Sequence, residues 1–253
     1  SLTEEGHEYY RRCIDILGEV MRVESDLKAG ASSPSGTIRV EATIAIGETI
    51  VAPIVADFTR RFPSIGVSLS LINSPRNIVQ YGTDVAIRGD TVDNADLWAR
   101  PIFTTRYAVC ASASLASTLS SMTSPESLQS DRCLGLLMEG QYTPRPWRLT
   151  RGDAHYVIHP EGQLASNSTS VLVRAAEQGV GAIHVLDNLV SDSLAAGRLQ
   201  RLFPDWTCEE RIFYAVAHRG RFVAPKVRAF MEFLSEAYGG LVEPQPPIPV
   251  RPA

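Results

Sequence analysis

Between residues 37 and 72 the apolar positions change period twice. Thr37 to Thr43 alternates with β-branched residues and predicts a strand. Ile50, Val51, Ile54, Val55, Phe58 and Phe62 then recur at helical spacing. Val67, Leu69 and Leu71 alternate with Ser68, Ser70 and Ile72, which predicts a second strand. Pro53 falls near the start of the helix, where a missing N–H costs little, and Pro63 stops it after Arg61 and Phe62. A strand, a tight turn, a helix and a strand make a βαβ unit with a right-handed crossover. Its turn, Ile44 to Glu48, then lies at the carboxyl edge of a parallel sheet, where open α/β sheets bind ligands.

Upstream, residues 2–29 read as one long helix. Thr3 is its N-cap and Glu4 and Glu5 favour the positive end of its dipole. Tyr10, Cys13, Leu17, Val20 and Leu27 step along it as a heptad seam. Residues 30–36, GASSPSG, make a flexible linker, so the seam either docks on its own domain or pairs with a second chain. The linker and the length of the helix favour pairing, and a dimer is expected.

Downstream, Asn77 to Tyr81 predicts a short helix ended by Gly82, and Asp84 to Arg88 a buried strand. Residues 96–102 and 105–111 read as two extended pieces. A second α/β unit follows over residues 112–205. It has short helices at Ser114–Leu119 and after Ser124, a strand at Cys133–Leu137, and a helix from Val171 to Gln178 capped by residues 167–170. Its last strand follows the glycine stop of GVGAIHVL. A returning strand, Arg211–Val216, and an amphipathic helix beginning at Pro225, with Val227, Phe230, Met231 and Leu234 on one face, complete the first unit. Crossings near Cys110 and Trp206 would form a hinge. The tail, EPQPPIPVRPA, is proline-rich and reads as loose.

Composition narrows the function. The 253 residues are 44% hydrophobic and 21% charged, ordinary for a globular protein. No apolar run approaches the roughly 20 residues of a membrane-spanning helix, and no signal peptide is recognisable, so a cytoplasmic protein without membrane contact is expected. A net charge of −4 argues against a surface that neutralises phosphates by itself. Cys13, Cys110, Cys133 and Cys208 are widely spaced, match no metal pattern and read as buried reduced thiols. Neither a GxSxG elbow, a GxGxxG turn nor a GxxxxGK[ST] loop occurs. The histidines sit in unrelated contexts, and Asp84, Asp90, Asp93 and Asp96 lack a defined loop spacing. No enzyme, no metal and no cofactor is expected.

A binding cleft is better supported, since two α/β units joined by two crossings bring the carboxyl ends of their strands face to face. The turn Thr43-Ile44-Ala45-Ile46 and the turn Asn73-Ser74 should line it from one side. Glu139–Tyr142, the cap Asn167-Ser168 and the strand end at Val185 should do so from the other. Ser168 is either a plain helix cap or the N-terminal site for an anionic group. Thr43 and Ser74 are either turn hydroxyls or contacts to a ligand. Arg88 either pairs with Asp84 or Asp90, or receives a carboxylate.

GTIRVEAT, APIVADFTRRFPSIGVSLSL, NIVQYGTDVAIRGD and QGVGAIHVL occur in an order that resembles the effector-binding domain of LysR-type transcriptional regulators, over nearly the whole chain. LTEEGHEYYRRCIDIL resembles the end of the winged helix-turn-helix and the linker helix that pairs subunits in that family. The pattern departs at Leu186, where a proline is usual.

The resemblance implies an α/β fold of two Rossmann-like subdomains joined by two crossover strands, as in type 2 periplasmic binding proteins, preceded by a long linker helix. It divides the chain into a linker and dimerisation helix (1–29), a flexible linker (30–36), effector-binding subdomain I (37–110 and 207–240), subdomain II (111–206) and a loose tail (241–253). It places effector contacts at Ile44, Ala45, Ser74 and Val185, with Tyr142 on a loop that aligns less well. The implied partners are a small organic effector and further copies of the chain as homodimer or homotetramer; Ile44, Ala45 and Ile46 make the pocket floor apolar, so an effector with an apolar body and one polar or acidic end is expected. DNA would be bound only through an N-terminal winged helix-turn-helix absent from this chain. Two other readings share parts of this pattern: a bilobal solute-binding protein of a transport system, and a thiol-based redox sensor motivated by Cys110 and Cys133.

Overall fold

The β-branched alternation at Thr37 to Thr43 forms strand β1, Gly36–Thr43, with Ile38, Val40 and Ala42 buried on one face. The computed structural model describes residues 3, 6, 9, 34–73, 76–89, 97–119, 124–218 and 224–238. Tyr10, Cys13, Leu17, Val20 and Leu27 of the heptad seam, Ser74 of the expected effector loop, and the tail 241–253 lie outside the described residues. Among the described residues, no helix is long and apolar enough to cross a membrane.

Where a tight turn is expected after β1, the chain is already helical. Helix α1, Ile44–Ile46, runs into a π-helical turn at Gly47–Val51 and then into α2, Ala52–Arg61. Pro53 sits in the first turn of α2. It has no N–H for the carbonyl four residues earlier, so the hydrogen-bond ladder is interrupted where the wide turn lies. Ile54 and Phe58 are the buried positions of α2, and Phe62 and Pro63 end it as the pattern predicts. Strand β2, Ile65–Ile72, alternates exposed Gly66, Ser68 and Ser70 with half-buried Val67, Leu69 and Leu71.

Asn77 does not open a helix. Its Oδ1 accepts from the N–H groups of Val79 and Gln80 at 3.0 and 3.2 Å, making one turn that Gly82 closes at φ 66°. Strand β3, Val85–Arg88, follows. The two extended pieces expected over residues 96–111 are a single 16-residue strand, β4, Leu97–Ser112.

The described residues then run through α3 (Ala113–Thr118), β5 (Gly135–Leu136), β6 (Trp147–Arg151), β7 (Ala154–Ile158) and β8 (Ala165–Ser166). After these come α4 (Thr169–Glu177), β9 (Ile183–Leu186), α5 (Ser191–Ala195), β10 (Leu199–Arg201) and β11 (Thr207–Cys208). The chain returns through β12 (Glu210–His218) to α6 (Pro225–Tyr238). The helix expected after Ser124 is only a 3-10 turn at Pro125–Ser127, and the strand expected over Cys133–Leu137 is two residues long.

The chain divides into two compact units. The first holds Ser1–Ala42, Val51–Ile102 and Tyr214–Ala253, and the second holds Thr43–Ile50 and Phe103–Phe213. The expected crossings at Cys110 and Trp206 therefore lie inside the second unit. In the first unit the strand order is β12-β3-β1-β2, with β1 parallel to β3 and β12 antiparallel to it. The faces of α2 and α6 meet there through aromatic rings: Phe58 lies 4.9 Å from Phe230 at 88° and 5.4 Å from Phe233. Edge-to-face pairs of this kind add about 0.5–1.5 kcal/mol each beyond their buried area.

In the second unit, β9 and β10 pair antiparallel with β4, and β5 pairs parallel with β8. The hairpin β6–β7, extended by β11, carries Trp147 and Leu149 into a core with Val109, Leu128 and Trp206. A second core joins Leu172 and Ala176 of α4 to Ile183, Val185 and Leu199.

Candidate effector-binding site

In the first unit, the carboxyl ends of β1 and β3 carry a cluster of charges. Glu41 stands opposite Ala86 in the parallel pair, and Arg88 is the last residue of β3. Glu41 is only 3% exposed. Its Oε2 lies 3.4 Å from Arg76 Nη2 and its Oε1 3.6 Å from Arg88 Nη2. Arg88 Nη2 also donates to the carbonyl of Arg76, and the Arg76 guanidinium stacks 4.6 Å over the Tyr81 ring. A carboxylate is rarely buried without compensation, and two guanidinium groups supply it here. At the other end of β3, Asp84 accepts the Arg39 N–H at 2.9 Å through Oδ2.

Glu41 and Arg76 were missed in the sequence. A glutamate between Val40 and Ala42 on a strand with both faces in use could have flagged them, because a buried charge must find a partner.

In the second unit, α4 starts at Thr169 with Ser168 as its N-cap residue, and the Ser168 side chain makes no capping hydrogen bond. The Ser168 N–H instead donates to Ser166 Oγ at 3.1 Å. Thr43, Ile44 and Ala45 belong to this unit. Thr43 is the extended residue before α1, and Ile44 is 36% exposed for an apolar side chain. Asn167 is exposed, and Tyr142 is 99% exposed beside Gly140. Val185 is buried in the core beside Leu172 and Ile183, so its side chain packs rather than faces solvent. Leu186 takes the place of a usual proline with φ −62° and ψ 132°, the φ a proline would impose, and the strand end keeps its course.

Behind Val185, His184 is buried in a polar cluster. Its ring stacks 4.7 Å from Tyr107 and 5.6 Å from Trp147. Arg145 donates to the Tyr107 hydroxyl at 2.5 Å and to Glu209 at 2.6 Å. Burial, with a smaller contribution from the Arg145 charge, pushes the His184 pKa down to about 3, so the ring is neutral at physiological pH.

The thiols are equally displaced. Burial raises Cys110 and Cys133 to about 12 and Cys208 to about 11, and the nearby carboxylates Asp187 and Asp131 add to the rise at Cys110 and Cys133 respectively. Among the described residues, no group of three or more His, Cys, Asp or Glu side chains is placed to hold a metal. What these positions offer is binding chemistry: paired guanidinium groups, a buried carboxylate, an uncapped helix start and an exposed isoleucine.

Comparison with known proteins agrees in kind. The family model described as LysR substrate binding domain matches residues 31–239. The transcriptional regulator CrgA of Neisseria meningitidis is 30% identical over 241 residues, covering 94% of this chain and 79% of the relative. The transcriptional activator TtdR of Escherichia coli is 25% identical over 236 residues, covering 93% of this chain and 75% of the relative.

The solved structure of CrgA superposes with a TM-score of 0.73 at 29% identity, over 95% of this chain and 81% of that one. The full-length virulence activator AphB of Vibrio cholerae shares the fold, with a TM-score of 0.72 at 23% identity over 94% and 81% of the two chains. These neighbours have the type 2 periplasmic-binding-protein-like fold, but they are regulators of transcription, which separates this chain from transport-type solute-binding proteins. Since the family model spans well over half of the sequence, the chain belongs to the LysR substrate-binding domain family, the regulatory part of LysR-type transcriptional regulators.

Proposed function

We propose that this chain senses a small organic effector on behalf of a DNA-binding head and assembles that head into a cytoplasmic homodimer or homotetramer. The observation that carries the reading is the family match over residues 31–239. Effector binding favours one state of the regulatory region, and this population shift changes the spacing of the heads on DNA. Residues 1–29 serve as the linker and pairing helix. Thr43, Ile44, Ala45, Ser74, Arg88, Tyr142, Asn167, Ser168 and Val185 remain the proposed effector positions, Val185 through its backbone. The chain carries out no catalysis in this role.

Thermal unfolding against a panel of small acids, aromatic compounds and amino acids tests the proposal. A ligand at about 100 times its dissociation constant adds roughly 2.7 kcal/mol, which shifts the melting temperature of a chain this size by several degrees. A selective shift supports effector sensing. A flat response across all classes counts against it.

A further inference from the structure

We propose that Glu41, Arg76 and Arg88 form an effector subsite for a compound carrying a carboxylate next to an O–H or N–H donor, the head group shared by hydroxy acids and amino acids. The inference rests on the effector-sensing reading and names the ligand class.

Glu41 Oε1, an acceptor, and Arg76 Nε, a donor, are buried polar atoms of the cluster without a hydrogen-bond partner. The contacts from Glu41 to the guanidinium groups, 3.4 and 3.6 Å, are close enough for charge attraction but long for hydrogen bonds. A buried carboxylate oxygen left in this state calls for a donor, and a buried guanidinium N–H calls for an acceptor.

Shape narrows the choice. Guanidinium is the group best shaped to hold a carboxylate, and Arg76 offers an unpartnered N–H to one. A neutral donor alone leaves Arg76 Nε unsatisfied. A carboxylate with a neighbouring hydroxyl or amino group satisfies both atoms: its oxygens accept from Arg76, and its donor reaches Glu41 Oε1.

Position agrees. Glu41 is two residues from the end of β1 and Arg88 is the last residue of β3, the carboxyl edge of a parallel pair. The Arg76 side chain is 39% exposed, so the cluster opens to solvent through it.

Calorimetric titration of the full chain tests the subsite with matched probes: malate against succinate, phenyllactate against 3-phenylpropionate, and phenylalanine. Phenyllactamide and neutral aromatics serve as uncharged controls. The expected result is a hydroxy or amino acid that binds at least tenfold more tightly than its partner lacking the donor and than the uncharged amide.

Arg76→Met is expected to weaken that acid at least tenfold, and Glu41→Gln to erase its preference over the partner lacking the donor. Unliganded melting curves verify both folds. Should Glu41→Gln not fold, Arg76→Met together with Arg76→Lys, which keeps the charge but loses the planar fork, decides the matter. An acid that binds wild type and Arg76→Met equally, or binding confined to neutral compounds, overturns the subsite while effector sensing stands. No binding by any compound of any class removes both.

Discussion

His184 shows what burial does to a single side chain. Its folded pKa, about 3, lies below the ordinary value of 6.5, so the unfolded chain binds a proton in this window and the folded chain does not. The stability that His184 contributes is therefore fully present well above pH 6.5 and is lost as the pH drops toward 3. Between pH 7.5 and pH 5 the loss from this residue is about 2 kcal/mol, at 1.36 kcal/mol per unit below 6.5. Urea unfolding at the two pH values should show it, and His184→Phe, which keeps the stack between Tyr107 and Trp147, should reduce the pH difference by about that amount. An unchanged difference would mean that the ring is charged or exposed.

The thiols make a second prediction at this scale. With Cys110 and Cys133 near 12, thiolate is scarce at neutral pH. Both should react with a maleimide at least about 100-fold more slowly in the native chain than in denaturant, as mass spectrometry of the labelled peptides will report. Fast native labelling of either would restore the redox-sensing reading.

At the scale of elements, two glycines of QGVGAIHVL separate conformational need from packing need. Gly179 ends α4 at φ +80°, and a Cβ there would meet the Ser112 hydroxyl at an ordinary 3.5 Å. A Cβ on Gly181 would lie 2.6 Å from the Arg132 carbonyl and 2.8 Å from a Leu134 methyl, closer than packing allows. Gly179→Ala is expected to cost about 1 kcal/mol for the left-handed backbone. Gly181→Ala should cost about 2–3 kcal/mol, because the backbone beside Cys133 must move. Equal losses in chemical denaturation would show that the backbone gives way at Gly181.

This distinction was legible in the sequence, because a glycine just past a helical run supplies a left-handed stop and a second one ahead of a buried strand marks a close approach. Less was legible where structure depends on distant partners. The hairpin β6–β7 has no long apolar run, and Trp147 and Leu149 become core residues only through pairing with β7 and β11. Residues 96–111 read as two pieces because Pro101 interrupts the pattern, yet Leu97–Ser112 is one strand. The turn after β1 was misread for the opposite reason: Ile44, Ala45 and Ile46 offer no helix cap, and α1 owes its form to the turns that follow it. Among the site positions, Arg88 was visible at a strand end, whereas Glu41 depends on the parallel register that puts β3 beside it.

For the whole molecule, the proposed function has more than one copy of the chain assemble. The heptad seam at Tyr10, Cys13, Leu17, Val20 and Leu27 is the proposed means, since its spacing suits knobs-into-holes pairing with a second helix. Light scattering of the full chain should report a dimer or a tetramer. Leu17→Asp combined with Val20→Asp places two charges in the seam, where an unpaired buried charge is costly. The double variant should lose at least one level of assembly while the regulatory region keeps its melting temperature within a few degrees. A wild-type chain that scatters as a monomer would refute the pairing helix. A double variant that remains a dimer would move dimerisation to the faces of the regulatory region, and the effector would then act across those faces.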